Sequence, residues 1–378
     1  MLDDQLTRDL KSEARRAGFG LVGVCPAVAP TGRRHFRAWL EAGYAGEMHY
    51  LAARREAYEH PRHILAGVRS LVMLGMPYRT AEPAACRAGQ GRISRYAWGE
   101  ADYHDVIRQR LRQLARWLAE REPGVSVRGV VDTAPLLERE FGRLAGLGWI
   151  GKNTMLINRQ AGSWFFLAAL LTDLELAYDS PHEHDYCGTC RDCLDACPTQ
   201  ALLQPYVLDA TRCLSYLTIE LRDSVPAPLR AAAGDWLFGC DICQEVCPWN
   251  RRAPVSGESA FAPAAEANPV PLAELFAWTD DAFRARFRRT PLWRAKRRGL
   301  LRNAALVAGC QRTGELIDAL MRGLQDAEPL VRGACAWALG RYADPRARRS
   351  LQDRLAQEDD PQVRDEIAAA LSPKTCGA

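Results

Sequence analysis

Eight of the thirteen cysteines fall into two runs, Cys187-x2-Cys190-x2-Cys193-x3-Cys197-Pro198 and Cys213 followed by Cys240-x2-Cys243-x3-Cys247-Pro248. A 4Fe-4S cubane needs four thiolates converging on its corners, and two-residue gaps let one tight loop present three of them. In bacterial two-cluster ferredoxins the Cys before Pro ligates the other cluster. That rule assigns Cys187, Cys190, Cys193 and Cys247 to one cubane, and Cys197, Cys213, Cys240 and Cys243 to a second. Paired CxxC segments also build tetrahedral zinc sites, but the three-Cys rhythm and the trailing prolines favour cubanes. A disulfide framework is a poorer match, because the cysteines are spread too thinly over 378 residues. Cys25, Cys86, Cys310, Cys335 and Cys376 are left over and read as buried small apolar side chains. Electron transfer is therefore part of the chemistry.

Three further segments carry reactive types. Val130 to Arg139 sets Asp132 where a strand passes into a helix, a position from which α/β proteins present catalytic groups; Asp132 or Thr133 also fits as that helix's cap, with Pro135 in the first turn. Gly146-Leu147-Gly148-Trp149-Ile150-Gly151-Lys152-Asn153 matches both GxGxxG and a Walker A loop lacking its Ser/Thr. Both motifs need a preceding strand, whereas Pro135 to Ala145 has helical spacing, so the glycines read as a turn beside some other cofactor. Between Phe283 and Arg302 stand nine basic residues and no acid, with Phe287 and Trp293 interleaved. That run suits a single-stranded RNA loop, or is a solvated helix face.

The positioning elements follow from periodicity. Residues 1–177 mix strands (Ser70 to Met76, Val125 to Val131) with an amphipathic helix from Tyr103 to Arg121, predicting an α/β domain. Residues 178–252 are turn-rich and hold the cysteines in a ferredoxin-like domain that the metals organise. Ala253 to Pro271 reads as a linker or surface strap, and 272–378 as all-α HEAT-like repeats, since Pro329-Leu330-Val331-Arg332 recurs as Pro361-Gln362-Val363-Arg364 with a weaker copy at Leu300 to Ala305. A formal net charge of +4 neither demands nor excludes a polyanionic partner. The longest apolar run, Trp164 to Leu171, is too short to cross a bilayer. Arg15-Arg16 faintly matches a twin-arginine export signal, but Leu6, Leu10, Ala14 and Ala17 mark a folded helix entering a strand, which predicts a cytoplasmic protein.

Taken together, Arg95-Tyr96-Ala97, Asp102-Tyr103-His104, Asp132 to Arg139, Gly146 to Asn153, Cys213-Leu214-Ser215-Tyr216-Leu217-Thr218-Ile219-Glu220-Leu221 and Cys247-Pro248-Trp249-Asn250 closely resemble the epoxyqueuosine reductase family over nearly the whole chain. The resemblance implies reduction of epoxyqueuosine to queuosine at the wobble position of tRNA, the last step of queuosine biosynthesis, using cobalamin and two 4Fe-4S clusters. It implies tRNAs with GUN anticodons (Asp, Asn, His, Tyr) as substrates, a flavodoxin or ferredoxin system as electron donor, and a monomer. Asp132 matches the family's proton donor and would need a pKa raised by burial in an apolar pocket. Tyr96, Lys152, Asn153 and Ser215 would contact the corrin; the Arg95 to His104 string is one residue longer than usual, which puts the Tyr96 contact in question. Thr218 and Glu220 would line the anticodon entrance, and Lys296, Arg297, Arg298 and Arg302 would grip the RNA. No Asp-x-His-x-x-Gly corrinoid loop is present, since Asp102-Tyr103-His104-Asp105-Val106-Ile107 ends in Ile. Two rival readings are a corrinoid reductive dehalogenase, which needs neither basic run nor repeats, and a ferredoxin-like carrier fused to an interaction solenoid, which leaves the first domain idle.

Overall fold

The computed structural model describes residues 4–264 and 267–372; Cys376 lies outside the described residues. The chain forms two compact units, each assembled from three segments: Met1–Ala81, Ala101–Thr211 and Asp241–Ala262, and then Glu82–Glu100, Arg212–Cys240 and Pro263–Ala378.

The first unit is built on a four-stranded sheet in the order Leu21–Pro26, Ser70–Pro77, Phe165–Thr172, Val127–Val130. Every pairing in it is antiparallel. The expected α/β mixture is thus present without the parallel crossovers that the term implies. Both central strands are near-continuous apolar runs, as burial on two faces demands. The helix Tyr103–Arg121 buries Ile107, Leu111, Leu114 and Leu118, one stripe at helical spacing. It lies against the edge strand at Gly129, where a Cβ would stand 2.7 Å from that of Leu111. The helix Glu138–Leu144 starts after Leu137 without a side-chain cap, which removes the capping explanation for Asp132 and Thr133. Gly146 follows that helix at φ 76°, so the glycine-rich string is a helix exit and not a nucleotide loop.

The cysteine segment does not form a unit of its own. Residues 178–211 and 241–252 belong to the first unit, whereas Arg212–Cys240, which carries Cys213 and Cys240, belongs to the second. In the first unit the short helices Asp192–Asp195 and Ile242–Glu245, which carry Cys193 and Cys243, pack on each other. Ala253 to Pro271 is likewise more than a linker: Phe261 is buried, and Val270–Pro271 joins a sheet of the second unit beside Gln90–Ile93, itself paired with Trp236–Phe238.

The rest of the second unit is the helical stack. Lys296–Gln311 packs on Pro329–Leu339, which packs on Pro361–Leu371. Proline opens Pro329–Leu339, Pro345–Leu355 and Pro361–Leu371, where its missing N–H is harmless. The repeated Val-Arg has a structural cause. Arg332 bonds the carbonyls of Asp326 and Ala327 and pairs with buried Glu358, and Arg364 bonds the carbonyls of Glu358 and Leu355. Each arginine ties its helix to the loop before it.

Candidate active site and cluster loops

Asp132 sits just beyond the edge strand at φ 53°, a left-handed conformation rare outside glycine, asparagine and aspartate. Its backbone N–H donates to Glu138 Oε1 at 2.8 Å. Its Oδ2 accepts from the Tyr103 hydroxyl at 2.5 Å and lies 3.2 Å from His104 Nε2. The other ring nitrogen, Nδ1, is 2.6 Å from Asp102 Oδ1, and the same oxygen accepts the His104 backbone N–H as cap of the helix Tyr103–Arg121. Tyr103 is held flat on Phe166, ring centroids 4.1 Å apart. The helix start and the strand end thereby present an Asp-His-Asp chain with a tyrosine anchor.

Burial opposes charge on His104, but the bonds and charges of Asp102 and Asp132 outweigh it and carry its pKa up to about 9. Asp102 is held below the ordinary carboxylate value, burial opposing and the His104 bonds prevailing. Burial, then the charge of Asp132, pushes Glu138 up to about 8. His104 and Glu138 are thus the members of this cluster whose environment favours the protonated form. Asp132 itself is 50 % exposed at its side chain and receives two donors, so the apolar burial expected for it is not its environment.

A pH dependence follows. His104 has a folded pKa of about 9 against an ordinary value of 6.5, so the stability from its charge is complete below about pH 6.5 and is lost as pH rises through about 9. The unfolding-midpoint difference between wild type and His104→Gln is expected to be largest near pH 6 and to vanish by about pH 10. A difference constant with pH would contradict the charged-histidine assignment.

Four thiols of the first unit come together. Burial, then the Cys187, Cys247 and Cys190 sulfurs, push Cys193 up to about 11. Cys247, from the second run, feels burial first and then Cys187 and Cys190. Thiols gathered from both cysteine runs in this way suit the corners of one cubane. Cys197 Sγ accepts the Ala201 N–H at 3.3 Å, a bond that stabilises a ligating thiolate. Cys213, at the start of the helix Leu214–Ile219, and Cys240 lie in the second unit. Of the remaining cysteines, Cys25 and Cys335 are buried as expected, while Cys86 and Cys310 are only partly so.

Several expected contacts take other roles. Lys152 Nζ donates to the carbonyls of Gly188 and Cys190, and the buried Asn153 amide to that of Cys243, so both brace the cysteine loops. Tyr96 lies near Phe238, and Ser215 is half-buried on the helix Leu214–Ile219. Thr218 is buried between the Leu214 carbonyl and the Gly239 N–H, which removes it from any entrance surface. Glu220 pairs with Arg294 at 2.8 Å. In the basic run, Arg302 is 1 % exposed and donates to the carbonyls of Leu217, Leu221 and Asp223. It is the counterpart of Arg332 and Arg364 and cannot reach a phosphate. Arg297 is committed to the Trp278 carbonyl and to Asp326, and Arg298 faces Glu328 at 3.8 Å. Lys296 stays exposed, its Nζ 4.0 Å over the Trp293 ring. Replacing Arg302 by Ala should cost about 3 kcal/mol, because the buried Leu217 carbonyl and the part-buried Leu221 and Asp223 carbonyls lose their donor and a buried side chain leaves a cavity. A urea midpoint unchanged from wild type would refute that structural role.

The sequence reading left His104, Tyr103, Asp102 and Glu138 without roles. All four lie inside strings already singled out, and the signal was an Asp-x-His opening a helix.

Three family models match the chain: "Epoxyqueuosine reductase QueG, DUF1730" over residues 59–133, "4Fe-4S double cluster binding domain" over 186–250, and "HEAT repeats" over 294–372. The epoxyqueuosine reductase of Pseudomonas aeruginosa is 40% identical over 345 residues, 90% of this chain and 95% of that one. That of Escherichia coli is 36% identical over 347 residues, 91% of each. A crystal structure of epoxyqueuosine reductase with an epoxyqueuosine-modified tRNA-Tyr stem loop aligns with TM-score 0.90 at 30% identity, covering 97% of this chain and 98% of that one. A Bacillus subtilis epoxyqueuosine reductase with its catalytic aspartate loop swung out of the active site aligns with TM-score 0.89 at 29% identity, covering 97% and 98%.

Proposed function

The chain belongs to the epoxyqueuosine reductase family, a family of oxidoreductases, and on that premise we propose that it reduces epoxyqueuosine to queuosine at the wobble position of tRNA. The observation that carries this reading is the proton-handling chain Asp102, His104, Asp132 in the unit that also gathers four cysteine thiols. The reaction consumes two electrons and two protons, opens the epoxide to an alkene, and releases its oxygen as water. Cys187, Cys190, Cys193 and Cys247 would hold one cubane, and Cys197, Cys213, Cys240 and Cys243 the other. Tyr96, Asp132, Lys152, Asn153 and Ser215 would contact cobalamin, Lys152 and Asn153 also bracing the cysteine loops. Bound cobalamin, fed by the clusters, supplies two-electron nucleophilic chemistry from one-electron donors such as a flavodoxin or ferredoxin.

The chain's own part is proton delivery. Asp132 relays a proton from the His104 imidazolium, 3.2 Å away, to the departing epoxide oxygen. Asp102 orients the ring by its bond to Nδ1, and Tyr103 fixes the Asp132 carboxylate. Glu138 holds the strained Asp132 backbone in place.

RNA contact falls to the exposed part of the basic run, Arg284, Arg288, Arg289 and Lys296. The double variant Arg288→Glu/Arg289→Glu should weaken stem-loop binding about tenfold near 0.1 M salt and flatten its salt dependence, without lowering kcat at saturating RNA. Unchanged affinity would move the RNA surface elsewhere. For the function as a whole, expression in a bacterium deprived of its own epoxyqueuosine reductase should restore queuosine in tRNA when cobalamin is available. Persistent epoxyqueuosine with the protein soluble would contradict the proposal.

A further inference from the structure

Two buried side-chain nitrogens of the first unit, Trp149 Nε1 and His182 Nδ1, have no hydrogen-bond partner, and their rings are 5.5 Å apart. Trp149 is 2 % exposed. It forms a small core with Ile157 and Cys247, against which Cys187 and Trp249 pack. Three rings hold the indole: Tyr186 edge-on at 5.1 Å, Trp249 edge-on at 5.0 Å, and His182. A buried N–H left unpaired is costly, and natural folds rarely tolerate one without a reason. Here the ring shares its core with Cys247, and Cys187 packs against it, so two of the thiols assigned to one cubane lie beside the indole.

On the reading that Cys187, Cys190, Cys193 and Cys247 hold a cubane, we propose that Trp149 is a positioning residue that donates its indole N–H to a sulfur of that cluster and raises its reduction potential. Reduction adds one electron to the cubane, and the added charge spreads onto its sulfurs. A donor aimed at one of them stabilises the reduced form. Trp149 and Cys247 are both buried, so this one fixed N–H counts for more than it would at a fully solvated cluster. The indole thus accounts for its own missing partner.

The test uses the full chain with both clusters reconstituted, in wild type, in Trp149→Phe, and in a chain with 3-benzothienylalanine at position 149, which keeps the bicyclic shape and lacks the N–H. An EPR-monitored redox titration should show one of the two midpoints moved to more negative potential in both variants, the other unmoved. Tryptophan labelled with 15N in the indole ring should give a nitrogen coupling to one reduced cluster in wild type that disappears in Trp149→Phe. If the benzothienyl chain loads both clusters and keeps both wild-type midpoints, the inference is overturned. If wild type binds no cubane at all, the underlying ligand assignment falls with it. If the clusters form and the midpoint moves while tRNA is not reduced, the inference stands and the proposed function fails.

Discussion

Asp132→Asn will fold, keep its clusters and bind the RNA stem loop, yet lose turnover, with kcat reduced by about 10²–10⁴-fold, the range for a positioned general acid. The substitution suits the question because asparagine, like aspartate, tolerates the left-handed backbone at φ 53°, so the loop is not strained further. The amide oxygen still accepts from the Tyr103 hydroxyl. What disappears is the ability to carry a proton from His104 to the substrate. Alanine is a poorer probe, since it adds backbone strain at this position. A fall confined to kcat marks a group that acts only in the transition state; a rise in KM alone would make Asp132 a binding residue.

Cys247→Ser should remove one cubane and with it all activity, lowering iron from about eight to about four atoms per chain. Cys247 is buried at 8 % exposure against Trp149 and Ile157, so a cluster bound there would also organise that core. The crossed assignment makes a sharper forecast. Cys193→Ser/Cys247→Ser should lose no more iron than either single change, because both remove the same cluster. Cys243→Ser/Cys247→Ser should lose both clusters, although those cysteines are close neighbours in sequence. The opposite pattern would place Cys247 with the cysteines of its own run.

The features legible in the sequence were those whose cause is local. The cysteine rhythm reflects loop geometry, and the Val-Arg repeat reflects an arginine that reaches its own preceding loop, as Arg332 does to Asp326 and Ala327. The helix Tyr103–Arg121 shows its buried stripe directly. Features set by distant packing were hidden. Arg212–Cys240 looks continuous with the cysteine loops, yet Asn303 draws it into the second unit through the carbonyls of Thr218 and Leu237. The basic run looked uniform because charge alone does not reveal which guanidinium meets a carbonyl; its alignment with the repeat arginines was the overlooked clue to Arg302. His104 acquired a role only when the sheet brought Asp132 to it. Family membership removes both rivals, the dehalogenase and the fused electron carrier, and gives the first unit a task.

The most direct test is anaerobic turnover of an epoxyqueuosine-bearing tRNA by the purified chain with both clusters and cobalamin reconstituted, followed by nucleoside mass spectrometry. Epoxyqueuosine should disappear as queuosine appears, lighter by one oxygen, with two electrons consumed per nucleoside. Epoxyqueuosine that persists while clusters and cobalt are both demonstrably reduced would contradict the account.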